Sequence, residues 1–318
     1  MLSLEEFIRP LSVDDLIRDF WPGELYVSET GPPRTALLEE VPELVAAEQV
    51  LAGYQRPVRL SRKGGPYASA PTGADAIPAY RTGFTCVMLG VEESFPGFKG
   101  LITDAARTFG LPVSSFTCEA FCSTGTSGLS MHSDFDLNFA LLLHGQKRWR
   151  LARNRSIENQ TSTCFSRGAA QADPRQERYA HSPFPDEMPE DSTEFEMGPG
   201  GILFVPRGWW HETYSLGDCL QVNLTIKGPH WAGVFTRAME TLLLEDPRWR
   251  NFAFGVTHPD GRRDAAVAEL TALLDRLTRT GELLDTHELA LRLLDRLDLE
   301  NLSTGSQRKA SKSTQGDR

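Results

Sequence analysis

The chain has 318 residues, of which 40% are hydrophobic and 24% are charged, and this balance is typical of folded globular proteins. Its formal net charge of -10 at pH 7 argues against a general nucleic-acid binder, because such proteins usually present a basic surface. The opening stretch MLSLEEFIRP carries early acidic residues and no apolar run, unlike a signal peptide. No segment approaches the roughly 18 apolar residues that a membrane span needs. We therefore expect a cytoplasmic protein without nucleic-acid or membrane partners.

The cysteine pattern favours the same cellular location. The chain contains five cysteines, an odd number, and their spacing matches no disulfide framework. Reduced thiols in a cytosolic protein are therefore the favoured interpretation. Cys118 and Cys122 lie four residues apart, but no second pair matches them, so a zinc site there is disfavoured.

The N-terminal portion, residues 1–81, is predicted to mix short helices with strands. Ser3 and Ser12 each precede an acidic, amphipathic stretch, which is the pattern of a capped helix. A strand is predicted over residues 82–90, and a helix over 97–110 that ends at a glycine. The central domain is thus expected to begin close to residue 82.

Strand signals dominate residues 113–228, where short apolar runs are bounded by Gly, Pro, Asn or Asp. Such spacing favours a sandwich or a barrel. A long irregular stretch over 154–197 interrupts these strands, and loops of that length are usually functional or disordered. After residue 231 the apolar residues recur at three- and four-residue spacing, which predicts helices.

Two separate motifs indicate a metal site. His132 and Asp134 form a His-x-Asp pair, and residues two apart in an extended segment point to the same side. His211, at the end of the run VPRGWWH, offers a third ligand. Two histidines and one carboxylate form the facial triad of non-haem Fe(II) oxygenases. A lone His-x-Asp pair is common by chance, so the interpretation depends on the setting of both motifs beside predicted strands and glycine turns.

A candidate anion site lies near the first motif. Two strand-like runs flank the turn Gly145-Gln146, which predicts a two-residue hairpin in which His144 pairs with Lys147. In that register Asn138 shares the face of Lys147. A lysine that faces the barrel interior makes an anionic ligand favourable, because an unpaired buried charge is costly. The alternative is that Lys147 is a solvated member of the basic run KRWR.

The run QVNLTI provides a second polar face. Gln221, Asn223 and Thr225 alternate with apolar residues, so the three polar side chains share one side of the predicted strand. Beside a metal such a face would line a ligand pocket, and the alternative is an ordinary half-exposed strand. Lys147, Asn138 and Asn223 are therefore the candidate cofactor-binding residues.

Two segments together give a specific family resemblance. HSDFDLNFALLLHGQKRW, followed by GPGGILFVPRGWWHETYS, resembles the core of JmjC-type hydroxylases. The resemblance is strongest to the cupin-like ribosomal oxygenases, and it extends to the asparaginyl hydroxylase called factor inhibiting hypoxia-inducible factor. In these families the cosubstrate-binding Lys or Arg follows the first metal histidine by fifteen residues, and Lys147 occupies that position here. The resemblance covers residues 82–228 well and the preceding region loosely.

The resemblance implies a mainly β fold with a double-stranded β-helix core, the jelly-roll of cupin and JmjC proteins, flanked by N-terminal α/β elements and a C-terminal helical segment. The tail is expected to be disordered because it lacks apolar side chains. The helical region has more apolar surface than a short attachment buries against itself, so a homodimer contact is also expected there. The predicted segments are an N-terminal α/β portion over 1–81, a JmjC/cupin catalytic domain over 82–230, a helical region over 231–302 and the tail over 303–318.

The resemblance also implies an activity and its cofactors. It implies Fe(II) bound by His132, Asp134 and His211, and 2-oxoglutarate held by Lys147 as the cosubstrate. The expected reaction uses O2 to hydroxylate a C–H bond of a peptide or protein side chain, with succinate and CO2 as coproducts. The first alternative is hydroxylation of a free amino acid or a small natural product. A second alternative, from another class, is a cupin-like binding protein without turnover.

Overall fold

The structure is a computed structural model, and it describes residues 2–167, 174–179, 181–254 and 261–279 together with the helical positions 287, 290, 291 and 294. Contacts between residues divide the chain into two compact units, 1–228 and 229–318. The predicted tail over 303–318 and most of residues 280–302 lie outside the described residues. Within the described ranges, no helix is long and apolar enough to cross a membrane.

The described residues contain thirteen β-strands and eight α-helices, connected by short 3₁₀ segments and one π-helical turn. The strands are β1 Tyr26–Ser28, β2 Val58–Ser61, β3 Ala68–Ala70, β4 Thr85–Leu89, β5 Phe116–Ser123, β6 His132–Ser133, β7 Leu137–His144, β8 Lys147–Ala152, β9 Cys164–Phe165, β10 Thr193–Met197, β11 Ile202–Val205, β12 Trp210–Ser215 and β13 Cys219–Ile226. The helices are α1 Leu4–Ile8, α2 Val13–Asp15, α3 Thr35–Glu40, α4 Ala47–Gly53, α5 Gly73–Arg81, α6 Lys99–Phe109, α7 Trp231–Leu243 and α8 Gly261–Arg279.

The strands of the first unit form two antiparallel sheets. The larger sheet has eight strands in the order β1-β11-β7-β13-β5-β4-β2-β3, and the smaller has five in the order β10-β8-β12-β6-β9. Lys147 of the small sheet donates a hydrogen bond to Gln221 of the large sheet, so these two faces meet in the interior. The chain crosses repeatedly between the sheets, as in a jelly roll. The predicted mainly β jelly-roll core with N-terminal α/β elements and C-terminal helices is confirmed.

Helices that precede β5 in the chain cover the outer face of the large sheet. Val222, Leu224 and Ile226 of β13 join one buried cluster with residues of α1, α4 and α6. Gln221 and Asn223, which alternate with them, are also buried but face the small sheet. The predicted alternation of β13 is therefore confirmed. Its polar side is interior, so the alternative of a half-exposed strand is wrong.

Local sequence signals set several helix boundaries. Ser3 caps α1 in a reciprocal capping box with Glu6, and the Ser12 hydroxyl accepts from the Asp15 N–H at the start of α2. Helix α6 ends at Gly110, whose φ of 62° lies in the left-handed region that favours glycine. These two helix starts and this helix end were predicted from the sequence and are confirmed.

The predicted hairpin at Gly145-Gln146 is wrong. Strand β7 pairs with β11 and β13 in the large sheet, whereas β8 pairs with β10 and β12 in the small sheet. His144 therefore lies opposite Leu220 rather than Lys147. The turn instead carries the chain from one sheet to the other. Gly145 has a φ of 81°, and a Cβ at this position would lie 2.0 Å from the Asp218 carbonyl oxygen, so the crossing requires glycine.

The long stretch over 154–197 contains ordered strands that extend the small sheet. Strand β10 pairs with β8, and the two-residue strand β9 pairs with β6. The second pairing matters for the site because β6 holds His132.

Candidate metal centre

The two predicted metal motifs meet on neighbouring strands of the small sheet. His132 on β6 and His211 on β12 are direct partners in the antiparallel register. Asp134 follows β6 by one residue, so its side chain points to the same side as that of His132. The potential ligand atoms of the three residues all lie within 4.8 Å of one another. The structure thus brings together two motifs that are well separated in sequence.

The distances between these atoms match a common coordination centre. Oδ2 of Asp134 lies 3.6 Å from Nε2 of His132 and 3.6 Å from Nε2 of His211. The two imidazole rings have centroids 4.2 Å apart and are tilted by 54°. Atoms that bind one metal at about 2.1 Å lie roughly 3 to 4 Å from one another, so a metal fits here with little adjustment.

Backbone carbonyl groups fix the orientation of both imidazole rings. Nδ1 of His132 lies 2.6 Å from the Ser130 carbonyl oxygen, and Nδ1 of His211 lies 3.0 Å from that of Trp209. A proton on each Nδ1 is donated to its carbonyl, which leaves the Nε2 lone pair directed at the centre. Burial lowers the pKa of His211 to about 4, so this imidazole is neutral near pH 7, the form that binds metals.

Asp134 is held as a carboxylate. Burial opposes its ionisation, but the neighbouring His132 and His211 outweigh burial and lower the pKa of Asp134. Its other oxygen, Oδ1, accepts a 2.9 Å hydrogen bond from the Thr163 hydroxyl. The triad therefore presents two imidazole nitrogens and one anionic oxygen at a single point of the small sheet.

The candidate anion site has a buried lysine at its centre. Lys147 is 2% exposed, and its Nζ donates a 3.0 Å hydrogen bond to Oε1 of Gln221. Because this partner is a neutral amide, burial is not offset and lowers the pKa of Lys147 to about 8. The interpretation of Lys147 as a solvated lysine is therefore wrong. Its neighbour Arg148 is the solvated member of the run and pairs with Glu196.

Two further polar atoms beside Lys147 have no hydrogen-bond partner among the described residues. They are Oγ of Ser215 and Nε1 of Trp149, and both are buried. Ser215 is the direct cross-strand partner of Lys147, and Trp149 follows Lys147 by two residues, so all three share one face. Buried donors are normally satisfied. An ammonium, a hydroxyl and an indole N–H on one face suit an anionic ligand with several oxygens.

Trp149 lies between the anion site and the triad. The Nζ of Lys147 is 5.7 Å from the Trp149 ring centroid, and the Trp149 and His211 rings are 6.0 Å apart. Phe121 approaches the same ammonium from the large sheet, at 5.6 Å. The lysine and the triad therefore lie on the same inner face of the small sheet, with Trp149 between them.

The other two candidate cofactor residues lie on the inner face of the large sheet. Oδ1 of Asn223 accepts a 2.7 Å hydrogen bond from Nε2 of Gln221. Gln221 also accepts the hydrogen bond from Lys147, so it links Asn223 to the lysine. Asn138 lies opposite Thr225 and accepts a 3.4 Å hydrogen bond from its hydroxyl. Contacts of Asn138 and Asn223 with a cofactor stay predictions.

Sequence reasoning missed an ionic cluster that borders the triad. Nζ of Lys227 lies 3.4 Å from Oε1 of Glu119 and 3.7 Å from Oδ2 of Asp136. Glu119 is the cross-strand partner of Asn223 on the inner face. Burial, and then the charge of Asp134, raise the pKa of Asp136 well above its usual range. Asp136 could have been found from the sequence, because it lies two residues after Asp134 in the run DFD. No local pattern marks Glu119 or Lys227 as members of the cluster.

Comparisons with known proteins agree with this architecture. The sequence profile described as the JmjC domain matches residues 102–234, which include the triad and Lys147. YxbC of Bacillus subtilis (strain 168) is 24% identical over 286 residues, covering 87% of this chain and 86% of its own. Ribosomal oxygenase 1 of Danio rerio is 25% identical over 170 residues, covering 48% of this chain and 29% of its own. The chain therefore spans less than a third of that ribosomal oxygenase.

One solved structure shares the fold over most of both chains. The X-ray structure of E. coli ycfD has a TM-score of 0.52 to this chain at 16% identity, and the match covers 86% of this chain and 69% of that one. At so low an identity the likeness supports the jelly-roll fold and the arrangement of its sheets.

Proposed function

We propose that the chain is an Fe(II)- and 2-oxoglutarate-dependent hydroxylase of the JmjC/cupin type, related to the ribosomal oxygenases, because its residues 102–234 match the JmjC domain profile. One observation supports the proposal above all others. His132, Asp134 and His211 lie on the same inner face of the small sheet as Lys147, a buried lysine that has no carboxylate partner among the described residues.

The donor set of the triad fits Fe(II). Two imidazole nitrogens and one carboxylate oxygen are the ligands of non-haem Fe(II) oxygenases, and three protein ligands leave further coordination positions for small molecules. A structural zinc site usually has four protein ligands, whereas this cluster supplies three. His132, Asp134 and His211 are therefore the proposed iron ligands and the proposed catalytic residues.

The anion site fits 2-oxoglutarate. A carboxylate of the cosubstrate would neutralise Lys147, whose ammonium Gln221 already holds in place. The unpartnered hydroxyl of Ser215 and indole N–H of Trp149 lie on the same face and suit additional carboxylate oxygens. Asn223 is proposed to complete the polar lining on the large sheet.

The chain itself provides orientation and a sheltered site. Bound Fe(II) and 2-oxoglutarate would supply the oxidising chemistry, in which O2 is consumed, succinate and CO2 are released and one oxygen atom enters a substrate C–H bond. The Ser130 and Trp209 carbonyls keep both imidazole rings turned toward the metal. Lys147 would hold the distal carboxylate of the cosubstrate. His132 and His211 are each only 8% exposed, and limited access of water strengthens electrostatic contacts.

We propose a peptide or protein side chain as the substrate. The support is the similarity to a protein named ribosomal oxygenase, which extends over 48% of this chain. O2 and 2-oxoglutarate would be the other reactants. If the oxygen atom is instead transferred to a small molecule, this part of the proposal is replaced.

Succinate formation tests the proposal directly. We expect the wild-type protein to form succinate from 2-oxoglutarate when Fe(II) and O2 are both present, and to form none when either is removed. His211→Ala is expected to abolish turnover. His144→Gln is the matched control, because His144 contacts the Leu44 carbonyl outside the site. Mass spectrometry of peptides and cell extracts after reaction identifies the acceptor by its gain of one oxygen. A wild-type protein that forms no succinate under any of these conditions contradicts the proposal.

A further inference from the structure

We infer that the segment over residues 160–165 positions the metal ligands and that Thr163 is a positioning residue for Asp134, an inference that rests on the function proposed above. The segment belongs to the long stretch between β8 and β10, and it contains β9, the strand paired with β6. It contacts three consecutive residues, His132, Ser133 and Asp134.

The contact with Asp134 distinguishes the two oxygens of its carboxylate. Oδ1 accepts the 2.9 Å hydrogen bond from the Thr163 hydroxyl, while Oδ2 lies 3.6 Å from Nε2 of His132 and of His211. An unrestrained carboxylate can rotate and present either oxygen, or both, to a metal. The Thr163 hydroxyl therefore selects Oδ2 as the oxygen that faces the histidines.

Neighbouring contacts hold the rest of the first motif. Phe165 is the cross-strand partner of His132, and their rings lie 5.9 Å apart at an interplanar angle of 25°. Gln160 is fully buried, and its Nε2 donates to the Ser133 carbonyl oxygen at 2.7 Å. Oε1 of Gln160 accepts from the Ser133 hydroxyl at 2.9 Å. These contacts restrict the ring of His132 and the backbone between the two ligands.

The same segment is fastened to the second metal motif. Arg207, four residues before His211, donates from its Nε to the Gln160 carbonyl oxygen at 3.0 Å. On the opposite side the Thr161 N–H donates to the Tyr179 hydroxyl at 2.7 Å. A segment that is bonded to both motifs can act as a rigid support for the ligands, and ligand geometry depends on such support.

The expected effect on metal binding follows from the role of outer contacts. A hydrogen bond to a ligating carboxylate orients it before the metal arrives, and loss of such a partner typically weakens metal binding about 10- to 100-fold. Thr163→Val replaces the hydroxyl with a methyl group and keeps the β-branched shape. It therefore removes the bond to Asp134 with little change in packing.

The test is a titration of the metal-free protein with Co(II) alone, read by calorimetry and by the visible spectrum of the bound ion. We expect Thr163→Val to bind Co(II) about tenfold more weakly or worse, and with an altered spectrum, because the Asp134 carboxylate can then rotate. Thr163→Ser keeps the hydroxyl and is expected to restore both affinity and spectrum to those of the wild type. Thr108→Val is the matched control, since its hydroxyl donates to the Asp104 carbonyl oxygen at 3.0 Å within α6, outside the segment and away from the proposed metal ligands.

Three results would overturn the inference. The first is wild-type Co(II) affinity and spectrum in Thr163→Val. The second is an equal loss of affinity in Thr108→Val. The third is a fall in the melting temperature of metal-free Thr163→Val without any change in Co(II) affinity, which would assign the hydroxyl to folding alone. Failure of the proposed function has a different signature, namely a wild-type protein that binds Co(II) but forms no succinate with Fe(II), 2-oxoglutarate and O2.

Discussion

Removal of the Lys147 ammonium offers a quantitative test of the cosubstrate site. Lys147→Met keeps an unbranched side chain at a position that is 2% exposed and deletes the charge. A charge-assisted hydrogen bond contributes about 1.5–3 kcal/mol, and each 1.4 kcal/mol is about a factor of ten in affinity. We therefore expect 2-oxoglutarate to bind roughly 10- to 150-fold more weakly. Fe(II) affinity is expected to change little, because Lys147 is not one of the proposed ligands.

The assay is anaerobic calorimetry of 2-oxoglutarate binding to the Fe(II)-loaded protein. Arg148→Met is the control, because Arg148 is adjacent in sequence but pairs with Glu196 on the exposed face. It is expected to bind like the wild type. Lys147→Arg is expected to lose less than Lys147→Met, since the charge survives while the planar guanidinium differs from a compact ammonium. Equal affinities in the wild type and all three variants would refute the assignment of Lys147 to the cosubstrate.

Three other predictions concern the metal, the pH and the second unit. Replacement of any of the three proposed ligands by alanine is expected to weaken Fe(II) binding sharply and to abolish succinate formation; near-normal turnover would exclude that residue as a ligand. Because Lys147 has a pKa of about 8 and binds an anion only when protonated, 2-oxoglutarate affinity is expected to hold below pH 8 and to fall about tenfold per pH unit above it. A flat profile from pH 7 to 10 would contradict this. Helix α7 exposes Trp231 and Phe235 by 78% and 55%, so we expect a homodimer at micromolar concentration that the double change to serine dissociates; a monomeric mass for the wild type would count against it.

The metal triad could be predicted because each of its motifs has a local signature. His132 and Asp134 are two residues apart on an extended segment, and His211 follows a glycine turn and a strand. Likewise, polar and apolar residues alternate along β13, and this alternation predicted that Gln221 and Asn223 share one face of the strand. Features that depend on the spacing of neighbouring residues were therefore accessible.

Features that depend on how strands are distributed between sheets were not accessible. Gly145-Gln146 has the residues of a hairpin turn, and the same residues suit a crossing between sheets, so the predicted pairing of Lys147 with His144 was wrong. Thr163 lies 29 residues from Asp134 in a stretch without periodicity, and only the pairing of β9 with β6 brings them together. Glu119 and Lys227 likewise meet Asp136 only through the folded sheet.

The edges of the two sheets also bear on how this protein behaves in concentrated solution. Three of the four edge strands, β1, β3 and β9, are only two or three residues long. The fourth, β10, is longer, and its Glu194 and Glu196 carry exposed negative charge that arginines of β8 partly balance. Short or charged edge strands offer few unpaired backbone N–H and C=O groups to which a strand of another chain could hydrogen-bond. The thirteen strands among the described residues therefore present almost no template for strand-to-strand aggregation between copies.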